Sequence, residues 1–460
     1  MQDQWWHFSG IAGAGMNPLA QLMAARGVRV QGSDRSLDQG QNQAIAERLQ
    51  AAGIALVPQD GSGIQAGLTR LVHSTAVEDS TPEMQAAIQL NITRQTRPAL
   101  LAELVGAARP GIAIAGTSGK STVVGMLAWI LRYVQRPATV LGGAALAVDG
   151  ASHMGCFQAG SDADPLLAEA CESDGTLIGY HPAIGLVHNI SRDHGELDAV
   201  KQQFATFMAQ CELLFVNARC REAMALAKEH PRLITYGQGS AAEVALEPVR
   251  IGPWRAEGTL SFSTEEVFID LPQPGMHTLE NAAAAAVVAD HLGINRMRIA
   301  AALGSFPGVA RRFQPIGITA DHIRVIDDYA HNGDKLRAAI SAAQAGADRV
   351  ICIFQPHGYG PARFLRPELR AILPDILRRQ DRFCYSEIYY AGGTVQADIS
   401  SRDLAADLQQ ELGRPVGYAE SHEAVLSWVT EQAGPGDTVL LMGARDPRLA
   451  DLARAIHAIL

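Results

Sequence analysis

Gly116-Thr117-Ser118-Gly119-Lys120-Ser121-Thr122 decides the fold of this 460-residue chain. An apolar run, Gly111-Ile112-Ala113-Ile114-Ala115, precedes it, and a helical stretch from Val123 to Tyr133 follows. Buried strand, glycine turn and helix, in that order, make a phosphate cradle. The glycines turn backbone N–H groups inward, and the helix N-terminus adds its dipole toward a polyanion. Lys120 can reach the β- and γ-phosphates, and the Ser121 hydroxyl can ligate Mg²⁺. The alternative is a glycine turn that happens to precede a lysine. The flanking strand and helix favour a nucleoside triphosphate site in an α/β domain.

Working outward, 460 residues are too many for one core and predict about three domains. An apolar content of 47% with mixed charges describes a globular protein. The net charge of -10 argues against nucleic acid, whose phosphates would be repelled. No apolar run approaches the ~20 residues of a membrane helix, so no membrane insertion is expected. The first residues, Met1-Gln2-Asp3-Gln4-Trp5-Trp6, lack the basic and apolar regions of a signal peptide. Cys156, Cys171, Cys211, Cys220, Cys352 and Cys384 form no C-x-x-C pair and read as reduced thiols. A cytoplasmic location is the expectation.

Toward the N-terminus, residues 5 to 35 read as strand, glycine turn, helix and strand. The turn Gly10-Ile11-Ala12-Gly13-Ala14-Gly15-Met16 spaces its glycines G-x-x-G-x-G, and the second strand ends at Gly32-Ser33-Asp34. This is a Rossmann-like unit with an acidic residue placed for a ribose contact. NAD, another nucleotide diphosphate and an empty turn all remain open. Thr69 to His73 reads as a strand ending at Ser74-Thr75-Ala76, a helix spans about Pro98 to Val105, and Ala107-Ala108-Arg109-Pro110 reads as a domain boundary.

Beyond the phosphate turn, Glu172 follows the apolar Leu166-Leu167, and His194 follows the buried run Ile184 to Ile190. Both can face the sheet edge that carries Lys120, where a carboxylate and an imidazole bind a divalent metal. Val249 to Ile251, Gly258 to Phe262 and Glu266 to Leu271 alternate like strands of a small antiparallel sheet. An alanine-dense helix follows through Leu292. Asn281 near its start can offer an amide to a base edge, and His277 can stack or cap. A second boundary falls near Ser305 to Gly308. In the last third, strands ending at Asp327-Asp328-Tyr329, Gln355-Pro356-His357 and Gly443-Ala444-Arg445-Asp446 deliver polar groups to one edge.

Taken together these motifs resemble the Mur ligase family, nearest to the branch that joins alanine to UDP-N-acetylmuramate. The resemblance runs over essentially the whole chain. It includes Gly10 to Met16, Gly32-Ser33-Asp34, Gly116 to Thr122, Glu172-Ser173-Asp174, Asp193-His194, His277, Asn281, Arg311-Arg312-Phe313, Asp327-Asp328-Tyr329 and Phe354-Gln355-Pro356-His357. It implies a three-domain α/β amide ligase. Residues 1–107 would be a Rossmann-like UDP-sugar domain, 108–306 a central P-loop domain with a small antiparallel sheet, and 307–460 a Rossmann-like amino-acid domain. The resemblance settles the first-domain ligand as a UDP-sugar, held by Gly13, Ala14, Gly15, Met16, Asp34, Ser74 and Thr75. It places ATP on Gly116, Thr117, Ser118, Gly119, Lys120, Ser121, Thr122, His277, Asn281, Arg312 and Asp328, and Mg²⁺ on Ser121, Glu172 and His194. Lys120, His194, Arg312 and His331 would act in catalysis, with His194 or His331 as local base. Tyr329, His357, Arg363 and Arg445 would meet the amino acid. A monomer or weak homodimer is expected.

Departures from the family pattern cluster in the last third. Gly358 follows Gln-Pro-His where the branch carries arginine, Pro361 stands at the next basic position, and Arg445 stands where the family has glycine. Either Arg445 compensates by binding the incoming carboxylate, or it is a surface arginine. Its guanidinium fork favours the first. Two other functions compete: a family paralogue with another acceptor or donor, such as a peptide-recycling ligase, and a non-catalytic nucleotide-binding scaffold.

Overall fold

The computed structural model describes residues 4–75, 77–149, 156–172, 175–191, 197–239, 242–263, 265–390 and 397–460. The strands lie in three sheets. The first holds β1 (Trp5–Ser9), β2 (Arg29–Ser33), β3 (Ala55–Leu56), β4 (Arg70–His73) and β5 (Thr93–Thr96) in the order β3-β2-β1-β4-β5. Its pairings are all parallel. The order reverses between β1 and β4, which opens a crevice at their carboxyl ends.

The second sheet has ten strands: β6 (Gly111–Ala115), β7 (Thr139–Gly142), β8 (Cys156–Gln158), β9 (Leu166–Glu169), β10 (Ile184–Val187), β11 (Leu213–Asn217), β12 (Leu233–Gly237), β13 (Val244–Ile251), β14 (Ala256–Ser261) and β15 (Glu266–Leu271). Their order is β15-β14-β13-β12-β11-β10-β6-β9-β7-β8. β6 lies between β10 and β9 and is buried along its whole length, which is why it reads as an unbroken apolar run. The expected small antiparallel sheet differs in one respect. β14 and β15 do pair antiparallel, but they continue this sheet through β13, which pairs parallel with β12. Ala282 to Ala286 are buried where the helix Met276–His291 lies against the helix Lys120–Tyr133. Small side chains allow that close approach.

The third sheet comprises β16 (Gln314–Ile318), β17 (Arg324–Asp328), β18 (Val350–Gln355), β19 (Arg382–Ser386), β20 (Gly417–Ala419) and β21 (Thr438–Gly443), ordered β16-β17-β21-β18-β19-β20. Only the edge strand β16 runs antiparallel to its neighbour. Apolar clusters cover both faces, one around Phe354, Leu373 and Tyr385, the other around Val439, Leu441 and Leu452.

The chain divides into two compact units, Met1–Arg250 with Ala256–Gly308, and Ile251–Arg255 with Val309–Leu460. Within the first unit one core joins the first two sheets, from Phe8, Leu19 and Leu100 to Ala113, Val187 and Phe204. Among the described residues no helix is long and apolar enough to cross a membrane. Cys171, Cys211, Cys220, Cys352 and Cys384 are free thiols.

Candidate active site

The phosphate loop leaves β6 at Gly116 and enters the helix Lys120–Tyr133 through Gly119. Both glycines have positive φ, at 146° and 85°. Gly119 is also fixed by space: a Cβ there would stand 2.5 Å from Asn281 Oδ1 and 2.9 Å from the His188 ring. Asn189, just past the end of β10, clamps the loop. Its Oδ1 accepts from the Ser118 N–H at 2.8 Å, its Nδ2 donates to the Ser118 carbonyl at 3.1 Å, and its carbonyl accepts from the Thr117 N–H. Thr117 Oγ1 accepts from the Ser191 N–H at 2.9 Å.

Lys120 donates to the Gly116 carbonyl at 2.5 Å and to Glu172 at 2.8 Å. Burial works against its charge, but Glu172, Cys171 and Glu169 outweigh it and hold the pKa above the ordinary lysine value. The Ser121 hydroxyl donates to Glu169 at 3.0 Å, and the other oxygen of Glu169 accepts from the Gly143 N–H at 2.8 Å. Sequence reasoning passed over Glu169. The visible apolar run stopped at Leu167–Ala168, whereas β9 runs on and ends at Glu169 itself. Glu172, the expected metal carboxylate, pairs with Lys120. His194, Ser173, Asp174 and Asp193 lie outside the described residues.

The donor set suits Mg²⁺. The Ser121 and Glu169 oxygens are hard ligands, and their 3.0 Å separation matches two adjacent corners of an octahedron with bonds of about 2.1 Å. Asn281 Oδ1 is buried against the loop with no hydrogen-bond partner among the described residues. Beneath the loop, His188 Nδ1 is 2.8 Å from the Tyr236 hydroxyl and the two rings stack. Burial, with His277 adding, lowers the His188 pKa to about 4, so the ring is neutral at pH 7. His277 itself is exposed on the first turn of its helix. His188 and Tyr236 were not singled out from the sequence, and Asn189 entered only as part of the family motif Asn189-Ile190, with no role assigned to it.

The glycine turn after β1 is held from β2. Gly10 and Ile11 N–H groups donate to the Ser33 carbonyl, and Ala12 N–H donates to Asp34 Oδ2 at 3.1 Å. Asp34 Oδ1 caps the next helical turn through the Ser36 N–H. The carboxylate expected at a ribose thus holds its own loop. Gly13, Ala14 and Gly15 line the exposed rim, while Met16 opens the helix Met16–Ala25 and is buried. Ser74 and Thr75 follow β4 across the crevice. Arg97, which sequence reasoning did not mark, approaches this rim: its Nη1 is 3.3 Å from where a Cβ on Gly15 would stand.

In the second unit β17, β21 and β18 are adjacent, which gathers the three polar strand ends predicted from the sequence. Arg311 links the ends of β17 and β21, pairing with Asp327 at 3.3 Å and donating to the Gly443 carbonyl at 2.8 Å. Burial raises the Asp327 pKa to about 6 even beside that guanidinium. Asp328 accepts from the Phe313 N–H at 2.6 Å and the Ala330 N–H at 2.7 Å, which fixes it at the turn. Arg312 stacks over Tyr329 at 4.9 Å. The His331 and His357 rings are 5.5 Å apart, and Lys335 Nζ is 3.5 Å from His331 Nε2. Burial first, then Lys335, His357 and Arg312, lowers the His331 pKa to about 3; burial and Arg445 lower that of His357 to about 4. Arg445 is exposed and holds a left-handed φ of 65°, rare for a residue other than glycine. Arg363 does not join this group; it pairs with Asp398.

A P loop with its own carboxylates at the edge of a parallel sheet defines a nucleotide-using α/β enzyme. Residues 6–109 match the Mur ligase family catalytic domain, 114–289 the Mur ligase middle domain and 311–445 the Mur ligase glutamate ligase domain. The UDP-N-acetylmuramate–L-alanine ligase of Phenylobacterium zucineum is 32% identical over 457 residues, 96% of this chain and 92% of that protein. Among solved structures, the UDP-N-acetylmuramate–alanine ligase of Thermotoga maritima matches with a TM-score of 0.79 at 22% identity, over 98% and 97% of the two chains. The murein peptide ligase of Psychrobacter arcticus matches at 0.69 and 20% identity, over 98% of each. The chain belongs to the Mur ligase family, whose members are ATP-dependent amide ligases.

Proposed function

We propose that this ligase uses Mg-ATP to join the carboxylate of UDP-N-acetylmuramate to L-alanine in peptidoglycan precursor synthesis. The pairing of Lys120 with Glu172 and of Ser121 with Glu169 carries the reading, in a chain that aligns end to end with relatives of that name. The UDP-sugar would lie on the rim Gly13 to Gly15 with Ser74 and Thr75, its diphosphate facing the helix N-terminus and Arg97.

The chemistry follows from what a carboxylate lacks. Its leaving group is oxide, so it cannot accept an amine directly. A carboxylate oxygen attacks the γ-phosphorus of ATP and ADP departs, leaving an acyl phosphate. The amine then attacks the carbonyl carbon, and phosphate leaves with the bonding electron pair. Both steps concentrate negative charge, which Lys120, held at the phosphate loop, would neutralise as a fixed donor. Ser121 and Glu169 would hold Mg²⁺, which when bound supplies further charge neutralisation. Asn281 would present its buried amide to the nucleotide. The acceptor would meet Tyr329, His357 and Arg445, the last clamping its carboxylate. His331 is neutral at pH 7 and can take a hydrogen bond from the amine, while Lys335 and Arg312 nearby depress the amine's own pKa.

One observation favours a second reading. Arg445 keeps a strained left-handed backbone at the acceptor edge, which suits a different carboxylate-bearing acceptor. One assay separates the two. Phosphate release is measured with Mg-ATP, UDP-N-acetylmuramate and each amino acid or peptide in turn. Release with L-alanine is expected; release only with another acceptor selects the second reading, and none with any acceptor refutes both.

A further inference from the structure

A buried carboxylate lies beneath the turn after β1 and plays no part in the chemistry above. Glu83 is the second residue of the helix Pro82–Gln89 and is 3% exposed. His7 Nε2, from the middle of β1, is 2.9 Å from Glu83 Oε1. The Ser9 hydroxyl, last in β1, donates to Oε2, and the Ser33 hydroxyl, last in β2, donates to Oε1. His7, Ser9 and Ser33 are all buried. Gln31 Nε2 donates to the Gly63 carbonyl at 2.6 Å and lies 3.2 Å from His7 Nδ1. A carboxylate buried this deeply keeps its charge only when its lone pairs are filled, and three side-chain donors fill them here. Burial alone would raise the Glu83 pKa; His7, Ser33 and Ser9 more than reverse that.

The three segments that meet on Glu83 are the ones that frame the crevice. Ser9 leads directly into Gly10. The Ser33 carbonyl holds the Gly10 and Ile11 N–H groups, and Asp34 beside it holds Ala12. The helix that carries Glu83 follows the loop that begins at Ser74. We propose that Glu83 is a positioning residue for the sugar-nucleotide site, a buried anionic pin that fixes the glycine turn, the end of β2 and the Ser74 loop in one geometry. The proposal rests on the reading of this crevice as the UDP-sugar site.

Truncating the pin leaves three buried donors unmatched, whereas glutamine keeps an acceptor for His7 and Ser33 and lets Ser9 reverse its bond. Two readouts test it on the full-length protein: UDP binding by calorimetry, and KM for the sugar nucleotide against KM for ATP. Glu83→Ala is expected to weaken UDP binding and raise the sugar-nucleotide KM about tenfold or more, with the ATP KM within about twofold. Glu83→Gln should recover most of that loss. If Glu83→Ala does not fold, Ser33→Ala, which removes only the hydroxyl shared by Glu83 and His7, should shift the sugar-nucleotide KM alone by about threefold. Equal UDP binding by wild type and these variants, or a parallel rise in both KM values, would overturn the pin. Failure of the wild type itself to bind UDP would overturn the reading of the crevice and the pin with it.

Discussion

At the phosphate loop, Lys120 meets Glu172 and Ser121 meets Glu169, so cation and hydroxyl each hold a carboxylate of the same unit. At the carboxyl edge of the C-terminal sheet the carboxylates turn inward instead. Asp327 is taken by Arg311, Asp328 by two backbone N–H groups, and Asp446 by Arg448. Arg312 and Arg445 lie beside two neutral imidazoles. The first edge balances its own charge and can exchange those contacts for a metal and a polyanion. The second is electropositive and suits a substrate that brings its own negative end. One edge is therefore built for charge exchange, the other for charge capture.

The strongest way to break that contrast is to remove the cation that the first edge exchanges. Lys120→Ala should lower kcat/KM by about a thousandfold or more, about 4 kcal/mol of transition-state stabilisation, measured as phosphate release. A loss under tenfold would mean that Lys120 serves only to neutralise Glu172. The second test asks which carboxylate holds the metal. Glu169→Gln should raise the Mg²⁺ concentration needed for half-maximal rate by roughly 10- to 100-fold. Glu172→Gln should raise it less, because its contact is with Lys120. The reverse ranking would return the metal to Glu172.

These two carboxylates show where the sequence was legible and where it stopped. The motif Gly116 to Thr122 is local: strand, turn and helix are consecutive, so its geometry follows from residue order alone. The partners of that motif are not local. Glu169 and Glu172 come from the far side of a crossover, and choosing between them needs the residue at which β9 ends. His188 and Asn189 reach the loop only because β10 pairs with β6, some 70 residues apart in the chain. The carboxyl edge of the C-terminal sheet was legible as three strand ends with polar residues. Their adjacency depends on β21 inserting between β17 and β18, which no local pattern encodes. Arg363 was read from the family pattern as a substrate residue; its ion pair with Asp398 could not be read from the sequence, because the two are 35 positions apart.

Arg445 sharpens the capture side of the contrast, because its two roles pull apart. The left-handed backbone costs an arginine about 1 kcal/mol that glycine would not incur. Arg445→Gly should therefore raise the melting temperature of the protein slightly, while raising KM for the amino acid about tenfold (about 1.4 kcal/mol). Arg445→Ala should raise KM to a similar degree without the gain in stability. If glycine stabilises and KM is unchanged, the guanidinium is a surface group and the strain has no function at this edge.

The smallest expected effect concerns the two imidazoles, and its sign follows from linkage. An ordinary histidine has a pKa of 6.5; folding lowers His331 to about 3 and His357 to about 4. Between those values and 6.5 the unfolded chain binds more protons than the folded one, so stability falls as pH drops through that window. Above 6.5 both states are neutral there and the contribution is complete. His331→Gln and His357→Gln should each flatten the decline in melting temperature between pH 6.5 and 4.5, with little change at pH 8. The burial that keeps the rings neutral, helped by the nearby cations, also disfavours their taking a proton from the amine. The alanine-dependent rate of His331→Gln should therefore fall only a fewfold at pH 8, with its pH profile unshifted. A loss of a hundredfold, or a displaced profile, would make His331 a true base and would show that capture at this edge is coupled to proton transfer.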